Sequence, residues 1–211
     1  VWMDHGVWPF VTTKLYIDQT GDLAVLEEEI PYFKDQQAGR GTKKDAAWKE
    51  QDGCWQRDAA GNVYRGSVLE HLLLQNLTAF YEVGEHGHIR LRGADWNDAL
   101  DMAAFTNAYA GNLRELAELL ALYAEKTGKE SVPLNRDLFV LLADDDTLYA
   151  SVQKKQELLT RYTDACIHEV SGQKTEVPVT ELVCSLQKKA AFLTGHICAT
   201  EWVSDEEGRL V

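Results

Sequence analysis

The chain predicts an all-α domain, and three observations carry that reading. Apolar residues recur at helical spacing in several stretches, and capping residues stand ahead of many of them. No stretch shows the sustained apolar/polar alternation, rich in β-branched residues, that an exposed strand needs. At 211 residues, one core is the default, so residues 1–211 read as a single helical domain with a long loop insertion at about 34–66.

The elements follow in order. From Trp8 to Thr20, Trp8, Val11, Leu15 and Tyr16 keep helical spacing, and Gly21 stands where a left-handed C-terminal residue is wanted. Asp22 caps a short helix through Leu23, Val25 and Leu26, which Pro31 ends. Residues 34–66 are polar and interrupted by Gly39, Gly41, Gly53, Gly61 and Gly66. A loop of that length is usually functional or mobile; its Trp48, Trp55 and Tyr64 either stack on sugars or pin the loop to the core.

Ser67-Val68-Leu69-Glu70 reads as a capping box for a leucine-rich helix that Gly84 closes. Asn112-Leu113-Arg114-Glu115 reads as the start of the next helix, ending at Gly128. One long pattern is expected from Asp146 to Ile167, with Asp144-Asp145-Asp146 at its dipole-favoured start, and another from Pro178 to Gly195. Tyr16 to Asp22 and Tyr123 to Lys129 echo each other, each ending a helix in Thr-Gly. Repeated hairpin ends suit a toroid of paired helices.

Composition narrows the function. A formal charge of −13 disfavours nucleic acid and admits a neutral substrate more easily. With 45% hydrophobic and 26% charged residues and no long apolar run, neither disorder nor a membrane span is expected. Cys54, Cys166, Cys184 and Cys198 lack zinc spacing and read as free thiols in a reducing cytoplasm. His86 and His88 form a His-x-His pair without a third ligand at a diagnostic spacing, so no metal is expected, and His71 reads as a core histidine.

Arg90 to Met102 gathers three carboxylates, an amide, an indole and two guanidinium groups. An indole between carboxylates suits sugar chemistry, in which the ring lies against a pyranose face and one carboxylic acid protonates the glycosidic oxygen. An acidic loop capping the next helix would use the same residues.

Ala94-Asp95-Trp96-Asn97-Asp98-Ala99-Leu100-Asp101-Met102-Ala103 resembles the signature of glycoside hydrolase family 94, the inverting sugar phosphorylases. Asp4 to Pro9 resembles the family's sugar-subsite segment and Val68 to Leu77 the helix before its catalytic loop, all closest to the 1,2-β-oligoglucan phosphorylase branch. The resemblance runs through about Tyr123; beyond that only the helical character is shared.

It implies an α/α barrel of six hairpins, of which this chain would supply about half as a fragment of a larger enzyme. It also implies inverting phosphorolysis of β-linked gluco-oligosaccharides with release of α-glucose 1-phosphate. Inorganic phosphate is then the co-substrate and nucleophile, so no protein base and no further cofactor is needed. Asp98 takes the general-acid position, with Asp95 and Asn97 as competing positions. Trp96 nearby and the like charges of Asp95 and Asp101 would raise the Asp98 pKa toward neutrality.

Asp4, Trp96, Asp95, Asn97 and Arg92 are the expected sugar and carboxylate neighbours, with His5 and Trp8 close by. Arg90 or Arg92 could also hold phosphate, although the family's histidine and threonine-glycine phosphate ligands have no match here. The expected partners are β-glucan, phosphate and either a second copy or the remainder of the parent chain. A hydrolase on the same scaffold would need a base about 6.5–9.5 Å from the acid, for which Asp4 is the candidate. A non-catalytic carbohydrate-binding module is the other reading.

Overall fold

A computed structural model describes residues 6–39, 41–92 and 102–209. Most of the described chain is helical, and its short strands pair two by two. Helix α1 (Val7–Thr20) ends at Gly21, whose φ of 72° lets its N–H reach the Ile17 carbonyl. Asp22 then accepts the Ala24 N–H and starts a 3-10 turn over Leu23–Glu27.

The segment expected as a plain loop is built from small ladders. Strand β1 (Glu29–Pro31) leads to a tight β2 (Gln37–Ala38) and β3 (Lys43–Lys44) pair, then β4 (Arg57–Asp58) and β5 (Arg65–Ser67). β1 lies antiparallel to β5, with Ile30 opposite Gly66. Two or three residues cannot display an alternation, which is why no strand was legible there.

The predicted leucine helix is α2 (Val68–Tyr81), with the Ser67 hydroxyl accepting the Glu70 N–H. Only half of the capping box forms. The Glu70 side chain turns inward and accepts from Tyr32 Oη at 3.0 Å, Tyr64 Oη at 2.9 Å and the Asn135 N–H at 2.7 Å. Gly66 makes room for it, since a Cβ there would sit 2.4 Å from Glu70 Oε1.

The helix expected from Asn112 is already running ten residues earlier, as α3 (Met102–Thr127). Asn112 caps nothing; its amide donates across the helix packing to Asn76 Oδ1 at 3.3 Å and the Val7 carbonyl at 3.4 Å. Gly128 ends α3 as Gly21 ends α1. Both have a left-handed φ, both N–H groups return to the carbonyl four residues back, and Thr20 and Thr127 make matching bonds to Tyr16 and Tyr123.

Strand β6 (Ser131–Asn135) leads through a 3-10 segment at Arg136–Leu142 to a pattern that splits in two. Asp145 caps α4 (Asp146–Tyr149) and Ser151 caps α5 (Val152–Cys166), so the long helix expected from Asp146 breaks at Ala150 and Ser151. β7 (Glu169–Val170) joins β4 in parallel, and β8 (Lys174–Pro178) runs antiparallel to β6. β8 feeds α6 (Val179–Thr200).

The β6–β8 ladder sets the start of α6 beside the end of α3, and the two helices then pack along each other as the main helix pair of the fold. Their shared core includes Leu113, Leu116, Leu120, Leu182, Leu186 and Leu193, each fully buried. Each such leucine contributes on the order of 1.5–3 kcal/mol of apolar burial. All four cysteines are free thiols, and no helix among the described residues is long and apolar enough to cross a membrane.

Candidate functional site

The cleft that matters lies along the outer side of α2. Its volume is about 590 Å³, within the range of pockets that enclose small ligands. α2 supplies one wall through Leu74, Thr78 and Tyr81, α5 faces it with Gln156, Leu159 and Tyr162, and the segment from Phe33 to Lys43 closes a side. Glu82, Arg90 and Arg92 form its charged end.

That end is set by a short turn after α2. Glu82 ends the helix, Val83 bridges to Ile89, and the Gly84 N–H reaches the His88 carbonyl at 2.8 Å. Gly87, at φ 79°, turns the chain, and a side chain there would meet His196. The return leg brings Arg90 back, where its Nε donates to the Val83 carbonyl at 3.0 Å.

Arg92 then forms an ion pair with Glu82, whose carboxyl is buried. Its φ of 34° is the one left-handed value among the described non-glycine residues. Such a conformation costs on the order of 1–3 kcal/mol and persists where neighbours hold it, here the Glu82 carboxyl.

The far flank of the acidic motif is tied to the same turn. Thr106, fully buried on α3, donates to the Met102 carbonyl at 2.7 Å and accepts the Ile89 N–H at 3.0 Å. Arg92 and Met102, the described residues either side of 93–101, are thus both fastened to the turn that closes the cleft.

The side opposite α2 is equally well fixed. Lys34 donates to the Ile167 carbonyl and pairs with Asp45 at 2.8 Å, and His168 meets the same carboxyl at 3.0 Å. Burial alone would raise the Asp45 carboxyl, yet the bonds from Lys34 and His168 hold it down at about 2. Behind this wall Tyr32 and Tyr64 are pushed well above the usual phenol range by burial and by Glu70.

Of the sequence-predicted site residues, Arg92 is a wall of the cleft. Asp4, Asp95, Trp96, Asn97 and Asp98 lie outside the described residues, as does His5. Trp8 sits on the exposed side of α1, away from these walls. His88 bonds Glu201 at 2.9 Å and Thr200 at 3.2 Å, while the His86 carbonyl meets His196, so both serve the docking of α6. His71 is half-buried rather than in the core: it stacks on Tyr32 and reaches the Ile30 carbonyl at 3.1 Å, and burial lowers its pKa.

Glu82 escaped the sequence reading. The signal was present: an acidic residue between Tyr81 and Val83 at a helix C-terminus, where the macrodipole disfavours an anion unless a cation answers it.

Set against known proteins, a 101-residue stretch of the chain is 28% identical to solabiose phosphorylase from Paenibacillus borealis. The link is to a sugar phosphorylase. It is a distant one, covering 48% of this chain and 10% of that enzyme's length. No protein-family model matches the chain.

Proposed function

We propose that this chain carries the acid-bearing part of an inverting sugar phosphorylase acting on β-linked gluco-oligosaccharides, with 1,2-β-glucan as the preferred linkage. The observation that carries the reading is Arg92: it walls the cleft, pairs with the buried Glu82, and stands two residues before the phosphorylase-like motif. The similarity to a sugar phosphorylase points the same way.

In this reading Asp98 is protonated in the resting site and gives its proton to the glycosidic oxygen as the C–O bond breaks. A phosphate oxygen bonds to the anomeric carbon from the opposite face, giving α-glucose 1-phosphate and a shortened glucan. Trp96 stacks on the sugar, Asp95, Asn97 and Asp4 bind hydroxyls, and Arg90 with Arg92 favours the approach of phosphate. Glu82 is the positioning residue, since its carboxyl holds Arg92 in an otherwise unfavourable conformation.

The helices would form about half of an α/α barrel in the reducing cytoplasm. The rest of the barrel, with the remaining phosphate ligands, would come from the parent chain. The 211-residue chain alone then turns over little.

The test is glucose 1-phosphate release from linear β-1,2-gluco-oligosaccharides by the full-length parent, with and without phosphate. Phosphate-dependent release supports the reading. Equal cleavage without phosphate makes the protein a hydrolase, and binding without turnover makes it a carbohydrate-binding module; either contradicts the proposal.

A further inference from the structure

Two helices hold the two ends of the turn that shapes the charged end of the cleft. At its tip, His196 of α6 lies against Gly87 and donates from Nε2 to the His86 carbonyl at 2.8 Å, and His88 meets Glu201 at 2.9 Å. At its base, Gln156 of α5 donates to the Val83 carbonyl at 2.9 Å, the same oxygen that Arg90 Nε reaches. A shear between α5 and α6 therefore moves the tip against the base. Arg90 and Arg92, on the return leg, move with it.

What sets α5 against α6 close to this turn is a pair of buried amino groups on shared aromatic rings. Lys155, the neighbour of Gln156, places its Nζ 4.1 Å from the centre of the Phe80 ring and 4.5 Å from that of Phe192. Lys189 places its Nζ 5.6 Å from the same Phe80 ring. Phe192 in turn stacks on His196, with ring centres 6.0 Å apart and planes 8° from parallel. One column thus runs from Lys155 through Phe192 and His196 to the His86 carbonyl.

We infer that the Lys155–Lys189 pair is a proton-operated latch: protonation loosens α5 from α6, and the turn that carries Arg90 and Arg92 loosens with them. The inference stands whichever ligand the cleft takes. Two charged amines over one ring repel each other and lack water, whereas two neutral ones pack as apolar stems. The pair is unequal. Lys189 donates to the Ala143 carbonyl, Tyr149 Oη and Ser185 Oγ, while Lys155 rests on ring faces, so charge is hardest to hold at Lys155.

The other titratable groups around the pair are Tyr81 on α2, Tyr149 on α4, Asp144 ahead of α4, and Lys188 and His196 on α6. Burial holds both phenols well above their usual range, so they stay neutral, and Asp144 is answered by Lys188 in an ion pair. Burial, with Lys189 adding to it, pushes Lys155 down to about 7, and burial does the same to Lys189. Once the helices part, both amines regain water and the ordinary value of 10.5. The opened state then binds more protons above pH 7, so opening is easiest at pH 7 and is suppressed as pH rises.

The experiment is amide hydrogen exchange of the full-length parent at pH 7 and pH 9, corrected for the intrinsic rate at each pH. Peptides covering 83–92 and 186–200 are read, with 7–20 as the reference. In wild type, protection of the first two should rise about tenfold or more from pH 7 to pH 9. Lys155→Met should cut that rise to about threefold or less in both, and Lys189→Met gives the comparison independently. His196→Ala should keep the rise in α6 and lose it in the turn.

A rise that persists in both lysine variants overturns the inference. So does a wild-type rise in α6 that the turn does not follow. An equal rise in all three peptides, 7–20 included, also overturns it, because the whole fold then responds rather than a latch.

Discussion

At the first turn of α2 the interior holds a carboxyl group, and at its last turn it holds two lysine side chains. Glu70 meets donors of fixed geometry, two phenols and a backbone N–H. Lys155 and Lys189 meet mostly aromatic faces. Their Nζ atoms stand 4.1 Å and 5.6 Å from the Phe80 ring, and Lys189 also donates to the Ala143 carbonyl, Tyr149 Oη and Ser185 Oγ. Glu70 and the two lysines follow the helix dipole, which favours negative charge at the start and positive charge at the end, whereas the buried Glu82 at the C-terminus opposes it and is answered by Arg92.

The two ends nevertheless differ in robustness. Burial pushes both lysines down to about 7, with Lys189 adding to the effect at Lys155, so their charge is easily lost. A carboxyl caged by directed donors ties Tyr32 just after β1, Tyr64 just before β5 and Asn135 of β6 to α2 whatever the lysines do. The lysine end, beside the turn that carries Glu82 and Arg92, depends on pH.

The largest expected effect breaks the carboxyl end. Glu70→Ala strands two buried phenols and an N–H together and should cost about 3–5 kcal/mol, read as a lower urea midpoint. Glu70→Gln, which keeps an acceptor, should cost clearly less. Equal losses for the two would mean that volume rather than hydrogen bonding holds this end.

Next comes the lysine end. Lys155→Met keeps the stem and removes the buried ammonium, so it should raise stability by about 1–3 kcal/mol at pH 7. The unfolded side chain titrates near 10.5 and the folded one near 7, so between these values the unfolded state binds more protons. Stability therefore rises from pH 7 to pH 9 and is lost as pH falls back toward 7. Lys155→Met should flatten that rise in thermal unfolding scans; an unchanged slope would remove Lys155 from the explanation. The smallest effect calibrates both: Gly21→Ala and Gly128→Ala, where an added Cβ meets nothing within 4 Å, should each cost about 1 kcal/mol through the left-handed φ, with the same value at pH 7 and 9.

Much of the helical frame could be read from local signals. Gly21, Asp22, Ser67 and Asp145 each cap where the residue type says they should, because capping is a contact within one turn. The failures are non-local. Asn112 looked like a cap because its amide has no marker for a partner on another helix, and Glu70 looked like a box partner although tertiary donors claim it.

The cleft was less legible still, since its walls come from residues near 33–43, 74–92 and 156–167, which no periodicity connects. Arg92 is where motif and cleft meet. The remaining predicted site residues fall outside the described part of the chain and rest on the resemblance.

The central claim is that Asp98 is the proton donor. It is tested most directly by Asp98→Asn in the full-length parent, measured as phosphate-dependent release of glucose 1-phosphate from a β-1,2-gluco-oligosaccharide. The account predicts a fall in kcat of about 10²–10⁴-fold with oligosaccharide affinity retained. An unchanged kcat would contradict it.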